Sequence, residues 1–479
     1  MSRPFRLASQ FCIAIRRGPF LSVALAALLS MPAAAETMSD ALRQAYRNSP
    51  DINQQRAAVR AIDENTPKAK AGYLPKVNAN GFLGEEYDYE RGQLTSSMTG
   101  ATGGLKTHAA VRGYTGKVTE TVFDGFKTLN SVRQAESQTF AARETLRGTE
   151  QNVLLGAATA YMNVLRDSAI VELRRNNVIV LTEQLRQIRS RFQAGEVTTS
   201  DVAQTQASLA QGRSDFAGAQ SALLASTASF RLYVGVEPDK LAPAKPLDPL
   251  LPRDLDAAIS IGLAQHPLIG AARHNVAVAL SAVKVAEAAL YPTASLVGEV
   301  DRVLDYDGFT SLPGYKSFDA FVGGQAVLPV YQGGAEYAAI RQAKEQVRQA
   351  ELALDSQGDA VRAQIVAAWN GLDAARAEIQ SGRAAEAAAE RALSGMRDEA
   401  IAGQRTTYDV LTAQQTLLSA RVGLVTAQRD RIVASYGTLA AIGGLNPDRL
   451  RLDGPRYDPA AHYRQVENKF IGTSTPDGR

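Results

Sequence analysis

The stretch Ala194-Gly195-Glu196-Val197-Thr198-Thr199-Ser200-Asp201-Val202 returns 208 residues later as Ala402-Gly403-Gln404-Arg405-Thr406-Thr407-Tyr408-Asp409-Val410. Each copy is a Gly-broken turn followed by Thr, Ser or Tyr and Asp, then a helical pattern. Glycine supplies the left-handed backbone that ends one helix, and Thr, Ser and Asp cap the next. Two long helical hairpins with one tip design are therefore expected, with tip turns at 194–201 and 402–409. A length of 479 residues alone would suggest several ordinary domains. An internal repeat points instead to one unit built twice.

The duplication extends along the chain. A helical pattern over 38–71, interrupted by Pro50 and Pro67, predicts a kinked helix. Residues 76–90 and 112–123, enriched in Gly, Thr, Tyr, Phe and Val, read as strands, and Gln93 to Thr107 reads as an exposed loop. No proline then occurs from Gly125 to Pro238. One apolar row steps by seven through Ala157, Val164, Val171, Val178, Leu185 and Phe192, and another through Val202, Leu209, Phe216, Leu223 and Phe230. Such rows predict a left-handed supercoiled helix pair. The companion row mixes Ala160, Leu181 and Ile188 with Asp167 and Arg174, as on a helix with one sealed and one partly wet face. An ordinary amphipathic core fits these rows nearly as well, and only the length weighs against it. The 70 residues from Gly125 to Gly195 span ~105 Å if fully helical, nearly the summed length of the shorter helices before the strands and after the turn. One long helix beside two stacked short ones satisfies that sum.

Five prolines in residues 237–252 mark a linker, after which the plan repeats. His266-Pro267 answers Ser49-Pro50, and Tyr291-Pro292 answers Leu74-Pro75. Strands are expected at 294–306 and 318–328. In the latter, Phe318, Ala320, Val322, Gly324, Ala326 and Leu328 share one face. Val330-Tyr331-Gln332-Gly333 answers Val122-Phe123-Asp124-Gly125, placing Gly125 and Gly333 at matching strand-to-helix junctions. The second tip leads into a heptad row of Leu411, Leu418, Val425, Ile432 and Leu439. The expected units are thus a first repeat over 36–236, the linker, a second repeat over 253–445 and a polar, Pro-punctuated, irregular tail over 446–479.

The first 35 residues read as a cleaved export signal: Arg3, Arg6, Arg16 and Arg17, an apolar core from Phe20 to Leu29, then Ala33-Ala34-Ala35. Arg16-Arg17 is compatible with twin-arginine export, but ordinary export is the expectation. Cleavage removes four of 52 basic residues and none of the 49 acidic ones, so the exported chain is near neutral. That leaves no footprint for nucleic acid. The single cysteine, Cys12, departs too.

Four strands leave two open edges, which lipid does not tolerate. Transmembrane barrels begin at about eight strands, so closure needs two or more chains. The aromatics gathered around the strands, among them Tyr87, Tyr114, Phe309 and Phe318, suit either interfacial girdles or a soluble β core. The export signal, the helix–strand–strand–helix–turn–helix unit given twice, Tyr331-Gln332-Gly333-Gly334 and the two capped tips together closely resemble the TolC outer-membrane factor family over about residues 36–445. The resemblance implies a mainly α fold with a small β part: a homotrimer with a 12-stranded β-barrel in outer-membrane lipid, continued by a long periplasmic α-helical barrel. It implies an exit duct for drug efflux or type I secretion, without enzymatic activity or cofactor. Its implied partners are a periplasmic adaptor (membrane fusion) protein and an inner-membrane RND or ABC transporter.

On the same resemblance Asp409 forms an acidic ring at the periplasmic gate, and Arg405 with Asp201 forms a latch between adjacent tips. Read by themselves, Asp201 and Asp409 are helix caps and Arg405 a solvated charge. Family members often carry a second aspartate one turn on, where this chain has Thr412, so a single acidic ring is expected. His108, His266, His274 and His462 lack metal-ligand spacing, and no nucleophile elbow or phosphate loop appears. Trp369, on a long helix, reads as a packing or interfacial residue. The alternative function is a non-conducting coiled-coil scaffold or adhesin-like envelope protein.

Overall fold

The structure, a computed structural model, describes residues 35–90, 105–306 and 316–476. The expected export signal up to Ala34, most of the Gln93–Thr107 loop and Phe309 lie outside the described residues. The first repeat runs α1 (Met38–Asn48), α2 (Pro50–Asp63), α3 (Asn65–Lys70), β1 (Lys76–Glu90), β2 (Leu105–Phe123), α4 (Lys127–Gln193) and α5 (Thr199–Val234). The second runs α6 (Leu255–Gln265), α7 (Pro267–Glu287), β3 (Thr293–Tyr306), β4 (Ser317–Val327), α8 (Ala335–Ile401) and α9 (Thr407–Ala441), and α10 (Pro459–Val466) follows.

The two long helices, α4 and α8, have 67 residues each, about 100 Å at the helical rise. Beside α4 lie α1, α2 and α3 along one part and α5 along the other. The helix expected over 38–71 is three helices. Pro50 cannot donate to a preceding turn, so the chain restarts there with Pro50 in the first turn of α2 and Ser49 capping Ile52 N. His266-Pro267 breaks the matching helix of the second repeat in the same way. The run 255–290 is long and apolar enough, by composition, to cross a membrane. Here α7 packs against α4 and α8.

Where the stacked helices meet at mid-length, Leu42, Ile52, Leu154, Tyr161, Phe230, Ile365, Leu439 and Leu445 form the main core. Most of the heptad residues seal helix contacts, as Ala157, Val164, Val171, Leu185, Leu209 and Leu439 are all buried. Phe192, at the tip end of its row, is exposed. Asp167 of the companion row is buried and paired with Arg166 at 2.8 Å, and Arg174 reaches Asp215 of α5 at 2.7 Å. The proline-rich linker lies against this core. Glu36 and Leu241 form a parallel bridge, and the Tyr161 hydroxyl stands 2.8 and 2.6 Å from the carbonyls of Glu36 and Ala242. Asp248 is held by Arg376 at 2.8 Å and by Arg431. Trp369 packs, half-buried, on the core.

Two expectations change. The second strand begins at Leu105, not at 112, so Leu105–Thr107 of the expected loop is ladder, with Glu90 opposite Leu105. Its Gly, Thr and His residues weaken the local strand signal, and pairing with β1 overrides them. The tail is not irregular throughout: Asp458 caps α10 at Ala460 N, and Leu452 and Val466 are buried.

Among the described residues the strands form one antiparallel sheet in the order β1-β2-β3-β4. The register of Val77 opposite Val118, Val118 opposite Gly298 and Gly298 opposite Val322 assigns side chains to faces. One face carries Val77, Leu83, Tyr114, Val118, Leu296, Val300, Phe318 and Val322, all exposed. The other carries Lys76, Asn78, Asn80, Thr115, Lys117, Glu299, Asp301 and Gln325, with Lys117 and Glu299 paired at 3.0 Å. The apolar band lies between Glu120 at the helical end and Arg112 and Arg302 towards the other.

Candidate functional site

The two tips are built alike, atom for atom, in their backbone. Gly195 and Gly403 stand at φ +78 and +76, where only glycine is unstrained. Gly195 N–H donates to Phe192 O and Glu196 N–H to Arg191 O; Gly403 N–H donates to Ala400 O and Gln404 N–H to Glu399 O. These bonds satisfy carbonyls that the end of each long helix leaves open.

The next helix then starts in a capping box. At the first tip Asp201 N–H donates to Thr198 Oγ1 at 3.2 Å, and Asp201 Oδ2 accepts from Thr198 N–H at 3.0 Å and from its hydroxyl at 2.7 Å. At the second tip the same three contacts join Asp409 and Thr406 at 3.3, 3.0 and 2.9 Å. The Thr198 backbone N–H and hydroxyl hold the Asp201 carboxyl below its ordinary range, and those of Thr406 do the same for Asp409. Both carboxylates are therefore charged at neutral pH.

The charged side chains around each cap pair locally, and with opposite polarity. Arg191 at the end of α4 reaches forward to Glu196 at 3.0 Å. Glu399, its counterpart 208 residues on, accepts from Arg405 at 2.8 Å. Within one chain Arg405 and Asp201 are thus engaged separately, Arg405 by Glu399 and Asp201 by its cap and by the Thr407 side chain of the other tip. Thr412 turns its hydroxyl back onto Tyr408 O at 2.9 Å, so one carboxylate, Asp409, is left on this turn of α9. Glu399 and Glu196 were not singled out by sequence reasoning. Only Glu399 has a signal in the repeat, a charge swap with Arg191 208 residues before it; Glu196 answers Gln404, and Arg405 answers Val197.

At the opposite end, Gly125 and Phe126 both take left-handed backbone (φ 67 and 66) before α4, as Gly333 and Gly334 do (φ 73 and 84) before α8. Phe126 occupies the position of Gly334, and its ring rests edge-on to Phe123 and Tyr291 at 5.3 and 6.4 Å.

Of the histidines, His266 is buried and accepts from Leu268 N–H at the start of α7, with burial pushing its pKa down. His462 meets Asp63 at 3.1 Å, and His274 stacks near Phe140 at 5.4 Å. The His108 side chain lies outside the described residues. Among the described residues no three His, Cys, Asp or Glu side chains converge as a metal site.

An apolar-banded sheet, two 67-residue helices and a pair of matched tips match one group of proteins in sequence as well. The outer membrane efflux protein profile covers residues 41–236 and 258–444. The chain belongs to the outer membrane efflux protein family. The outer membrane efflux protein BepC of Brucella suis is 38% identical over 463 residues, 95% of this chain and 97% of BepC. The outer membrane protein TolC of Escherichia coli is 24% identical over 426 residues, 87% of this chain and 84% of TolC. The fold is shared with the CmeC outer membrane channel of Campylobacter jejuni, with a TM-score of 0.71 at 17% identity, covering 91% of this chain and 90% of that one. This member of the outer membrane efflux protein family is accordingly an outer-membrane protein, mostly helical with a small sheet. Its relatives are channel proteins of efflux and secretion systems.

Proposed function

We propose that three copies of this chain form the exit duct of a tripartite export system, passive in itself and gated at the helical tips. The observation that carries the reading is the sheet. Among the described residues its four strands keep one face apolar and the other largely polar, with Phe82 and Phe321 exposed on the latter, and leave β1 and β4 as unpaired edges. An open edge is excluded from lipid, and a two-faced antiparallel sheet is the wall of a water-filled barrel. Three such walls make twelve strands with no free edge. The helices continuing from them make a tunnel wall, in which the exposed Leu268 and Leu280 of α7 gain cover from a neighbour.

At the tips, three Asp409 carboxylates form one acidic ring that favours cations. Arg405 and Asp201, unpaired with each other inside a chain, meet across protomers as a latch, Arg405 exchanging Glu399 for the neighbour's aspartate. An exposed pair is a weak bond, suited to release when a periplasmic adaptor protein engages the tips beneath an inner-membrane RND or ABC transporter. BepC, named as an efflux protein, supports efflux as the first activity to test.

Single-channel recording of the purified protein in planar bilayers tests the reading. A small wild-type conductance that rises in Asp201→Ala/Arg405→Ala is expected. Cation preference should fall in Asp409→Asn, which keeps the cap oxygen and removes the charge. A protein that inserts as a trimer yet never conducts, with or without the latch, would leave a scaffold instead of a duct.

A further inference from the structure

Between the tips and the main core, the two hairpins of one chain meet at a small junction. Leu411, two residues beyond Asp409 on α9, is buried among Leu181 and Leu185 of α4 and Leu209 of α5. One turn further, Gln414 Nε2 donates to Asn177 Oδ1 of α4 at 3.2 Å. These amides are 8% and 9% exposed, and Gln414 Oε1 has no partner. The second hairpin has its own packing at this level, with Leu393 of α8 against Val410, Ala413 and Leu417 of α9. The first has its own as well: α5 passes so close to α4 that a Cβ on Gly212 would stand 2.9 Å from Leu181 Cδ1. Clefts of about 450 and 490 Å³ open on either side of the Asn177–Gln414 contact. Two internally packed hairpins thus touch here through one apolar knob and one amide pair, with open space around them.

We propose that Leu411 and the Asn177–Gln414 pair are a second latch, internal to each chain, which fixes the register of α9 and so positions Asp409 at the gate. The inference rests on the duct reading. The chemistry suits a contact that parts and re-forms. The leucine supplies non-directional attraction. The amide pair fixes register, but its unpartnered acceptor costs part of what the hydrogen bond gains, and parting the helices lets water satisfy both amides. The junction is neutral, whereas the Arg405–Asp201 latch is ionic and exposed. Salt therefore weakens the ionic latch and leaves the neutral junction unchanged.

The test compares single-channel records of the full-length protein at low and high salt. Leu411→Ala is expected to raise open occupancy about five-fold, by the same factor at both salts, while the oligomer remains intact on a gel. Asn177→Leu/Gln414→Leu replaces both amides by apolar groups of similar size, which removes the unpartnered acceptor. Placed in the Asp201→Ala/Arg405→Ala background, it is expected to bring conductance back down towards wild type. That result would not follow from mere loosening of the fold. If the ionic double mutant opens the channel while Leu411→Ala records like wild type and the leucine pair restores nothing, the internal latch is overturned and the duct stands. If no variant conducts, the duct reading falls first and takes the latch with it.

Discussion

Glu150, on α4, faces Arg56 of α2, Tyr46 of α1, Arg147 of its own helix and Asp448 of the tail, and burial pushes its carboxyl up to about 7. Arg56, 4.0 Å away, opposes that shift without cancelling it. An unfolded chain would titrate this group near 4.5. Between 4.5 and about 7 the folded state therefore holds more protons than the unfolded one, and stability falls as pH rises through that window. Glu150→Gln removes this pH dependence. Thermal midpoints taken at pH 5 and pH 8 should lie closer together in the variant than in wild type, with the gain, ~1–2 kcal/mol, at pH 8. A variant that loses stability equally at both pH values would show instead that Arg56 needs the charge. At this scale the tip residues were legible in the sequence because capping is local: Thr198 and Asp201 are three apart, as are Thr406 and Asp409. Glu150, Asn177 and Gln414 were not, because a polar residue on a helical pattern carries no sign of burial by a partner distant in the chain.

The elements follow the repeat with one instructive asymmetry. Gly125 and Gly333 both need left-handed backbone, but their surroundings differ. A Cβ on Gly125 would meet Tyr291 Cβ at 2.7 Å and Ala288 O at 2.8 Å, whereas none of these obstructions exists at Gly333. Gly333→Ala is expected to cost ~1 kcal/mol, the conformational term alone. Gly125→Ala adds a clash with backbone and should lower assembled protein in the membrane fraction well below that of Gly333→Ala. Equal yields would mean that the junction relaxes freely. The sequence placed both glycines through the Val-Phe-Asp-Gly and Val-Tyr-Gln-Gly match, yet the clash depends on the 3-10 turn at Ala288–Leu290, which no local pattern announces. Long helices were legible from seven-residue rows because so many turns repeat one pattern. The start of β2 was not, since its pairing with β1 overrides weak local preference.

At the scale of the whole molecule, the C-terminal segment ties the first repeat together at mid-length. Arg56 lies between the rings of Tyr46 and Tyr457, 4.7 and 4.9 Å from their centroids. Arg143 lies between Phe140 and Tyr463, at 5.5 and 5.3 Å. Each guanidinium thus uses one ring from the helical body and one from the tail, and each has a carboxylate about one contact away, the half-buried Glu150 at 4.0 Å and the buried Asp63 at 3.9 Å. His462 adds a bond to Asp63 at 3.1 Å, and Val466 closes the segment in the core. Composition marked this tail as polar and irregular because its partners stand about 400 residues earlier in the chain. Ending the chain at Arg451 would strip one ring from each arginine and expose the two carboxylates' neighbours to water. A cation over one ring is worth ~0.5–2 kcal/mol, so Tyr457→Ala and Tyr463→Ala should each lower the thermal midpoint modestly, and truncation by more than both together. Limited proteolysis gives the independent check: cleavage after Arg56 or Arg143 should appear in the truncated protein and be absent from the full chain. If the truncated protein resists protease and melts as the full chain does, the stacked α1, α2 and α4 hold without the tail, and its two tyrosines are only passengers on a surface already sealed.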